Sequence, residues 1–435
     1  MNRFSSDALF RLAALGLCFL ASVSCSQPSA SETKTGPAAE TKTGPTAATK
    51  SDSASPPAET PQKPNLDFAL ALYRQMAESN AAENLAASPA SVSVALAMTY
   101  AGAAGETKAQ MARTLGFLPD AEKNSALFGR LQTGWTSGDS ADAGYQLSVA
   151  NRIWARQDLP VRESFAKATR EHFGAELALA DFGAAPAQVR GQINAWVAEK
   201  TADMISELLP SSAVDAQTIM ILVNAIYFKA FWARQFEPSN TRSEPFHLLD
   251  GSSVEVPMMS QTGDFRYWRD ASLGVQALEL PYQGGSGAAM LALLPESPAG
   301  LAKLEAALTP ERLETWSANL RQQKAKVSLP RFKASQKLEL SDALIALGMP
   351  DAFSGQADFS GIFASGGAQI SKVIHEAVVE VDEQGTKAAA ATAVTMRAPS
   401  ASPVAEFRAD RPFLFFIRDG AGNILFMGRV ANPAL

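Results

Sequence analysis

Of the 435 residues, 46% are apolar and 19% charged, so a substantial buried core is available. A net charge of -6 argues against nucleic acid as a partner, since phosphate binding calls for a basic surface. The only cysteines, Cys18 and Cys25, lie near the N-terminus, which excludes disulfides and thiolate chemistry from the rest of the chain.

Residues 1–24 read as a secretory signal. Arg3 supplies a positive start, and residues 12–23 form an apolar run too short to span a bilayer comfortably. Small residues then precede Cys25, as Ala21-Ser22-Val23-Ser24. This resembles the lipobox of bacterial lipoproteins, with Ser22 where that motif most often has Leu. Lipidation at Cys25 would hold the chain at a membrane surface without a spanning helix. Cleavage by an ordinary signal peptidase, giving a secreted protein, is the alternative.

Residues 25–64 carry no large apolar side chain and repeat Glu-Thr-Lys-Thr-Gly-Pro at Glu32 and at Glu40. Such a segment cannot bury enough surface to offset the entropy of ordering, and reads as a disordered tether. As a flexible coil it would span roughly 35 Å.

From Asn65 the pattern changes. Leu66, Phe68, Leu70, Leu72, Tyr73 and Met76 recur at helical spacing, and helical patterns dominate to about Gly116. Strand-like runs follow at residues 147–154, 218–228, 275–280, 288–294 and 325–329. Helices are expected at residues 187–209, 301–322 and 337–347. The C-terminus reads as a hairpin of buried strands, residues 413–417 and 424–427, around a turn at 418–423. No Pro/Gly/Ser-rich boundary interrupts residues 65–435, so one α+β domain is expected.

About fifty residues from the C-terminus stands Glu383-Gln384-Gly385-Thr386-Lys387-Ala388-Ala389-Ala390-Ala391-Thr392. It follows the strand-like Val378-Val379-Glu380-Val381-Asp382. Glycine permits a hinge, and a run of tiny side chains follows. Read at period two, Thr386, Ala388, Ala390, Thr392, Val394 and Met396 share one face. Lys387, Ala389, Ala391, Ala393, Thr395 and Arg397 share the other, which holds all the strong charges. The stretch is suited to becoming a central sheet strand. An Ala-rich surface helix starting near Thr386 is the competing reading.

Strings along the whole domain resemble the serpins, suicide inhibitors of serine proteases. They include Asn84-Leu85-Ala86-Ala87-Ser88-Pro89-Ala90-Ser91, Ala150-Asn151-Arg152-Ile153-Trp154 and Ile193-Asn194-Ala195-Trp196-Val197. Further on come Leu222-Val223-Asn224-Ala225-Ile226-Tyr227-Phe228-Lys229 with Trp232, Leu278-Glu279-Leu280-Pro281-Tyr282 and Leu329-Pro330-Arg331-Phe332. His375-Glu376-Ala377 precedes the hinge, and Arg411-Pro412-Phe413 and Gly428-Arg429-Val430 close the chain. About ten such strings stand in family order.

The resemblance implies three β-sheets, about nine helices and an exposed reactive-centre loop. It implies a metastable monomer that needs no cofactor and no metal, and whose partner is a serine protease of trypsin-like, elastase-like or subtilisin-like type. A protease would cut the loop as a substrate and form an acyl-enzyme. The hinge, from Glu383 and Gly385 through Thr386, Ala388, Ala389, Ala390, Ala391 and Thr392, would then enter the main sheet and drag the trapped protease with it. Ser88, Ser91, Asn224 and His375 match the cluster that controls sheet opening, and Trp232 the site where insertion starts. Counting forward from the hinge puts the scissile bond at Pro399-Ser400. Counting back from Pro412 puts it nearer Ala401. Arg397, Ala398 and Met396 remain open as well, with Arg397 suited to a trypsin-like enzyme.

An enzyme reading lacks its parts. The chain has three histidines, His172, His247 and His375. His375-Glu376 has no second His for a zinc-protease motif, and Gly284-Gly285-Ser286-Gly287 lacks the final Gly of a nucleophile elbow. A serpin-fold binding or decoy protein that does not inhibit is the rival from another class.

Overall fold

A computed structural model describes residues 65–80, 82–136, 145–175, 177–284, 287–386 and 404–435. The chain begins with α1 (Leu66–Ser79), β1 (Leu85–Ala87), α2 (Pro89–Tyr100), α3 (Gly105–Leu115) and α4 (Ala121–Thr136). Then come β2 (Tyr145–Arg156), α5 (Glu163–Phe173), β3 (Ala178–Ala180), α6 (Pro186–Lys200) and β4 (Met220–Phe231). A run of strands follows: β5 (Arg242–His247), β6 (Ser253–Asp270), β7 (Val275–Pro281) and β8 (Ala289–Pro295). After α7 (Gly300–Ala306) and α8 (Pro310–Asn319) come β9 (Arg321–Pro330), β10 (Phe332–Glu339) and α9 (Ser341–Ala346). The chain closes with β11 (Lys372–Val381), β12 (Gly385–Thr386), β13 (Ala405–Arg408), β14 (Phe413–Arg418) and β15 (Ile424–Val430).

Hydrogen bonding joins the strands into two networks. One has the order β10-β11-β12-β4-β2-β3, with β11 also pairing β4 directly. The other runs β1-β15-β14-β8-β7-β6-β9-β13, with β5 also on β6. The 18-residue β6 pairs with β5 over residues 253–258, with β9 over 258–267 and with β7 over 266–270. The expected three sheets are thus joined into two hydrogen-bonded networks, because the long β6 bridges two of them. Nine α-helices lie among the described residues.

Both faces of the six-stranded sheet are covered. α2 carries no charged side chain, and all twelve of its residues are buried against one face. A helix apolar on every side belongs inside. The opposite face is covered by α6, whose Val189, Ile193 and Val197 pack with Ile221, Val223, Ala225 and Tyr227 of β4. Alternate residues of β4 therefore enter two different apolar clusters, which fixes the register of the strand.

Three expected helices are redrawn. The one expected over residues 187–209 ends at Lys200, because Ala202 and Asp203 adopt positive φ of 49° and 60°. The one expected over 301–322 is two helices, and Thr309 caps the second ahead of Pro310. Most of the first half of 337–347 is strand: β10 runs to Glu339 with alternating exposure and pairs with β11. Helices α4 and α5 lie where the sequence reading assigned no element. The C-terminal hairpin forms as expected, buried through β14 and β15.

Candidate functional site

The site is the seam between β4 and β11. These strands run parallel and pair directly from Lys372↔Ile221 to Val379↔Phe228. On this seam His375 lies level with Asn224, and Asn224 level with Asn151 of β2. One rung thus places three polar side chains across three adjacent strands, on the face that α2 covers.

The N-terminus of α2 completes the rung. Ser88 is the N-cap, its hydroxyl accepting the Ser91 amide at 3.2 Å while donating to the Leu425 carbonyl at 2.6 Å. The Ser88 amide donates to His375 Nε2 at 3.0 Å. That bond makes Nε2 an acceptor, so Nδ1 carries the proton and donates to Asn224 Oδ1. Asn224 Nδ2 donates to Ser91 Oγ at 2.5 Å and to Asn151 Oδ1. His375 is fully buried, and burial lowers its pKa to about 3 despite the favourable Asn224 contact, so it is neutral at physiological pH.

Beyond the rung the seam ends at the hinge. β11 stops at Val381, the chain turns through Asp382–Gln384, and Gly385 and Thr386 come back as β12. Thr386 lies between Val381 of β11 and Ala230 of β4, and Gly385 opposite Phe231. Only glycine fits at 385, because a Cβ there would lie 1.9 Å from the Ala230 carbonyl oxygen. The Asp382 carboxylate accepts the Gln384 and Gly385 amides at 2.9 and 3.2 Å, closing the turn. Burial pushes Asp382 above the usual carboxylate range, although those two amides pull it down.

Its neighbour Glu383 shifts the other way. Burial raises it, but the Arg331 guanidinium and the Thr241 hydroxyl outweigh burial and hold it below the usual range. Arg331 Nε meets both carboxylate oxygens at 2.8 Å, and Thr241 donates to one at 2.5 Å. The Glu383 carbonyl accepts the Phe236 amide at 2.7 Å.

Trp232 stands under this turn. Its indole donates to the Asp382 carbonyl at 3.0 Å and its amide to the Gln384 carbonyl at 2.8 Å. It stacks on Tyr282 at 4.7 Å and 8°, a contact worth about 0.5–1.5 kcal/mol beyond buried area.

The structure therefore gathers Ser88, Ser91, Asn224 and His375 into one network, and Trp232, Glu383, Gly385 and Thr386 into another at the end of the same seam. Ala388, Ala389, Ala390, Ala391, Thr392, Met396, Arg397, Ala398, Pro399, Ser400, Ala401 and Cys25, also singled out in the sequence, lie outside the described residues. Sequence reasoning missed four partners: Asn151, Thr241, Tyr282 and Arg331. Asn151, Tyr282 and Arg331 stand inside strings already marked, yet only strand pairing reveals that they meet the hinge and the rung.

A mixed α+β fold with a small-residue hinge entering the end of a parallel seam defines the serpin class. The family model for the serpins (serine protease inhibitors) matches residues 63–433, and the chain belongs to that family. Among its relatives, the leukocyte elastase inhibitor of Sus scrofa is 41% identical over 376 residues, 85% of this chain and 98% of the relative. Antithrombin-III of Homo sapiens is 39% identical over 383 residues, covering 86% and 82%. Among solved structures, uncleaved ovalbumin matches with a TM-score of 0.77 at 33% identity, covering 85% of this chain and 99% of that one. Human thyroxine-binding globulin complexed with its hormone gives 0.77 at 30% identity, covering 85% and 98%.

Proposed function

We propose that this chain inhibits serine-type endopeptidases by the suicide route, taking its own cleaved loop into the β4–β11 seam. The observation that carries this is the register of β12. Continued two residues at a time from Thr386, the chain would place Ala388 between Phe228 and Val379, and Ala390 between Ile226 and Ala377. Thr392 would then stand between Asn224 and His375. Each of these positions faces the side that α2 covers, where only small side chains enter without displacing packed neighbours. Thr392 would part the His375–Asn224 bond and offer its own hydroxyl in exchange. Lys387 would fall on the opposite face, level with Glu380. The new strand bonds on both sides in place of the β4–β11 ladder it parts, a net gain of one strand pairing at about 1 kcal/mol net per hydrogen bond, which favours insertion.

The chain on this reading is an inhibitor and not an enzyme. Its relatives named for elastase inhibition support the same class of partner. The cut would fall among Met396, Arg397, Ala398, Pro399, Ser400 and Ala401. Incubating the full-length protein with trypsin, an elastase and subtilisin tests the proposal on a denaturing gel. A covalent complex with at least one protease is expected, and the mass of the released C-terminal peptide locates the bond. Complete cleavage by all three with no complex would reject it. It would favour the second reading, a serpin-fold binding protein, which the likeness to a thyroxine-binding globulin suggests.

The N-terminal segment extends the proposal. A signal sequence over residues 1–24, removed ahead of Cys25, would deliver the inhibitor, as a monomer, to the outside of a cell on a lipid and a tether. Cys25→Ser should move it from the membrane fraction to the soluble one; unchanged fractionation would count against lipidation.

A further inference from the structure

Tyr282 begins where β7 ends and is buried, with its ring stacked on Trp232 and edge-on to Phe228 at 5.2 Å. Its backbone is fixed twice, by a bridge to Trp232 and by its amide on the Ala288 carbonyl at 3.0 Å. The hydroxyl is therefore aimed by a rigid frame. It meets the hydroxyl of Thr386, also fully buried, at 3.1 Å. Thr386 belongs to the two-residue strand β12, already paired on both sides. Gly385 beside it is moulded to the Ala230 carbonyl. Were the hinge to leave the sheet, the Tyr282 hydroxyl would lose its partner deep in an aromatic pocket, where water cannot readily replace it.

We propose that Tyr282 is a positioning residue for loop insertion: its hydroxyl latches Thr386 into the sheet before the loop is cut, so that insertion starts from a rung already formed. This rests on the inhibitor reading for its kinetic consequence, but the latch itself is measurable without any protease. The partition between trapping and turnover depends on how soon the strand zips in. A hinge already seated has no slow first rung to make. An unseated hinge must form that rung while the acyl-enzyme is being hydrolysed.

The test uses the full-length protein and its Tyr282→Phe, Thr386→Val and Thr386→Ser variants, with the Tyr282→Phe/Thr386→Val double. Hydrogen exchange of the hinge peptide, residues 382–387, is read in the intact protein. Loss of either hydroxyl should speed exchange about tenfold, the scale of one lost hydrogen bond to a buried group. The double variant should match the singles, and Thr386→Ser should match the parent. Thr386→Val leaves the aromatic frame untouched, so the comparison stands even if Tyr282→Phe folds poorly. With a protease that the parent traps, both single variants should need more inhibitor per protease while the first loop cleavage keeps its rate. Unchanged exchange in Thr386→Val would overturn the proposal, as would additive effects in the double, a Ser variant resembling Val, or faster exchange with unaltered stoichiometry. Failure of the parent to trap any protease would strike the inhibitor reading alone, because exchange still decides the latch.

Discussion

At the scale of single residues, the neutral His375 sets a pH dependence. Its pKa in the native state is about 3, whereas an exposed histidine titrates near 6.5. Between those values the unfolded chain binds a proton that the native chain does not. The contribution of His375 is therefore fully present above about pH 6.5 and is lost as pH falls toward 3. Its slope approaches about 1.4 kcal/mol per pH unit. Urea midpoints measured from pH 7.5 to 4.5 should fall more steeply for the parent than for His375→Gln. Parallel curves would show that His375 is not held neutral.

Glu383 supplies a second prediction at this scale. Its carboxylate is buried while Arg331 is about half exposed, with side-chain exposures of 6% and 46%. Glu383→Gln leaves a guanidinium that water can still reach, so the loss should be about 1 kcal/mol, less than for a fully buried pair. The hinge peptide should also exchange faster. A melting temperature unchanged within error would mean that the Arg331 and Thr241 contacts do not brace the turn.

At the scale of elements, the register of β12 makes a positional claim. Ala390→Arg would drive a charged side chain between Ile226 and Ala377, against the apolar side of the sheet. That variant should be cut at the parent's rate yet form little or no covalent complex. Full inhibition by it would show that the inserted strand takes another register. Part of the site was legible in the sequence. The glycine marked the turn that returns as β12, and Asn224 and His375 were marked by the strings around them. What the sequence does not carry is adjacency. Asn151 meets Asn224, and Arg331 meets Glu383, through pairings between strands far apart in the chain. Local pattern also misread residues 337–339, expected as the start of a helix, where pairing with β11 makes an edge strand. It missed α4 and α5 for the same reason, since docking against neighbours decides them as much as propensity.

At the scale of the molecule, the parallel seam explains how a folded protein can hold room for another strand. On the proposed mechanism β4 and β11, which pair directly, would part to admit the loop, and β12 already wedges between their ends. On that mechanism the barrier would be the rung of Ser88, Ser91, Asn151, Asn224 and His375 with the α2 N-terminus behind it. Asn224→Ala would leave His375 Nδ1–H without an acceptor at a cost of about 1–3 kcal/mol, and should lower the melting temperature of the uncut protein. The most direct test of insertion is thermal unfolding of the full-length protein before and after a single cut between residues 396 and 401. If the loop becomes the middle strand of the six-stranded sheet, the cut protein should melt far above the intact one. Equal melting temperatures would contradict insertion, and with it the inhibitory mechanism.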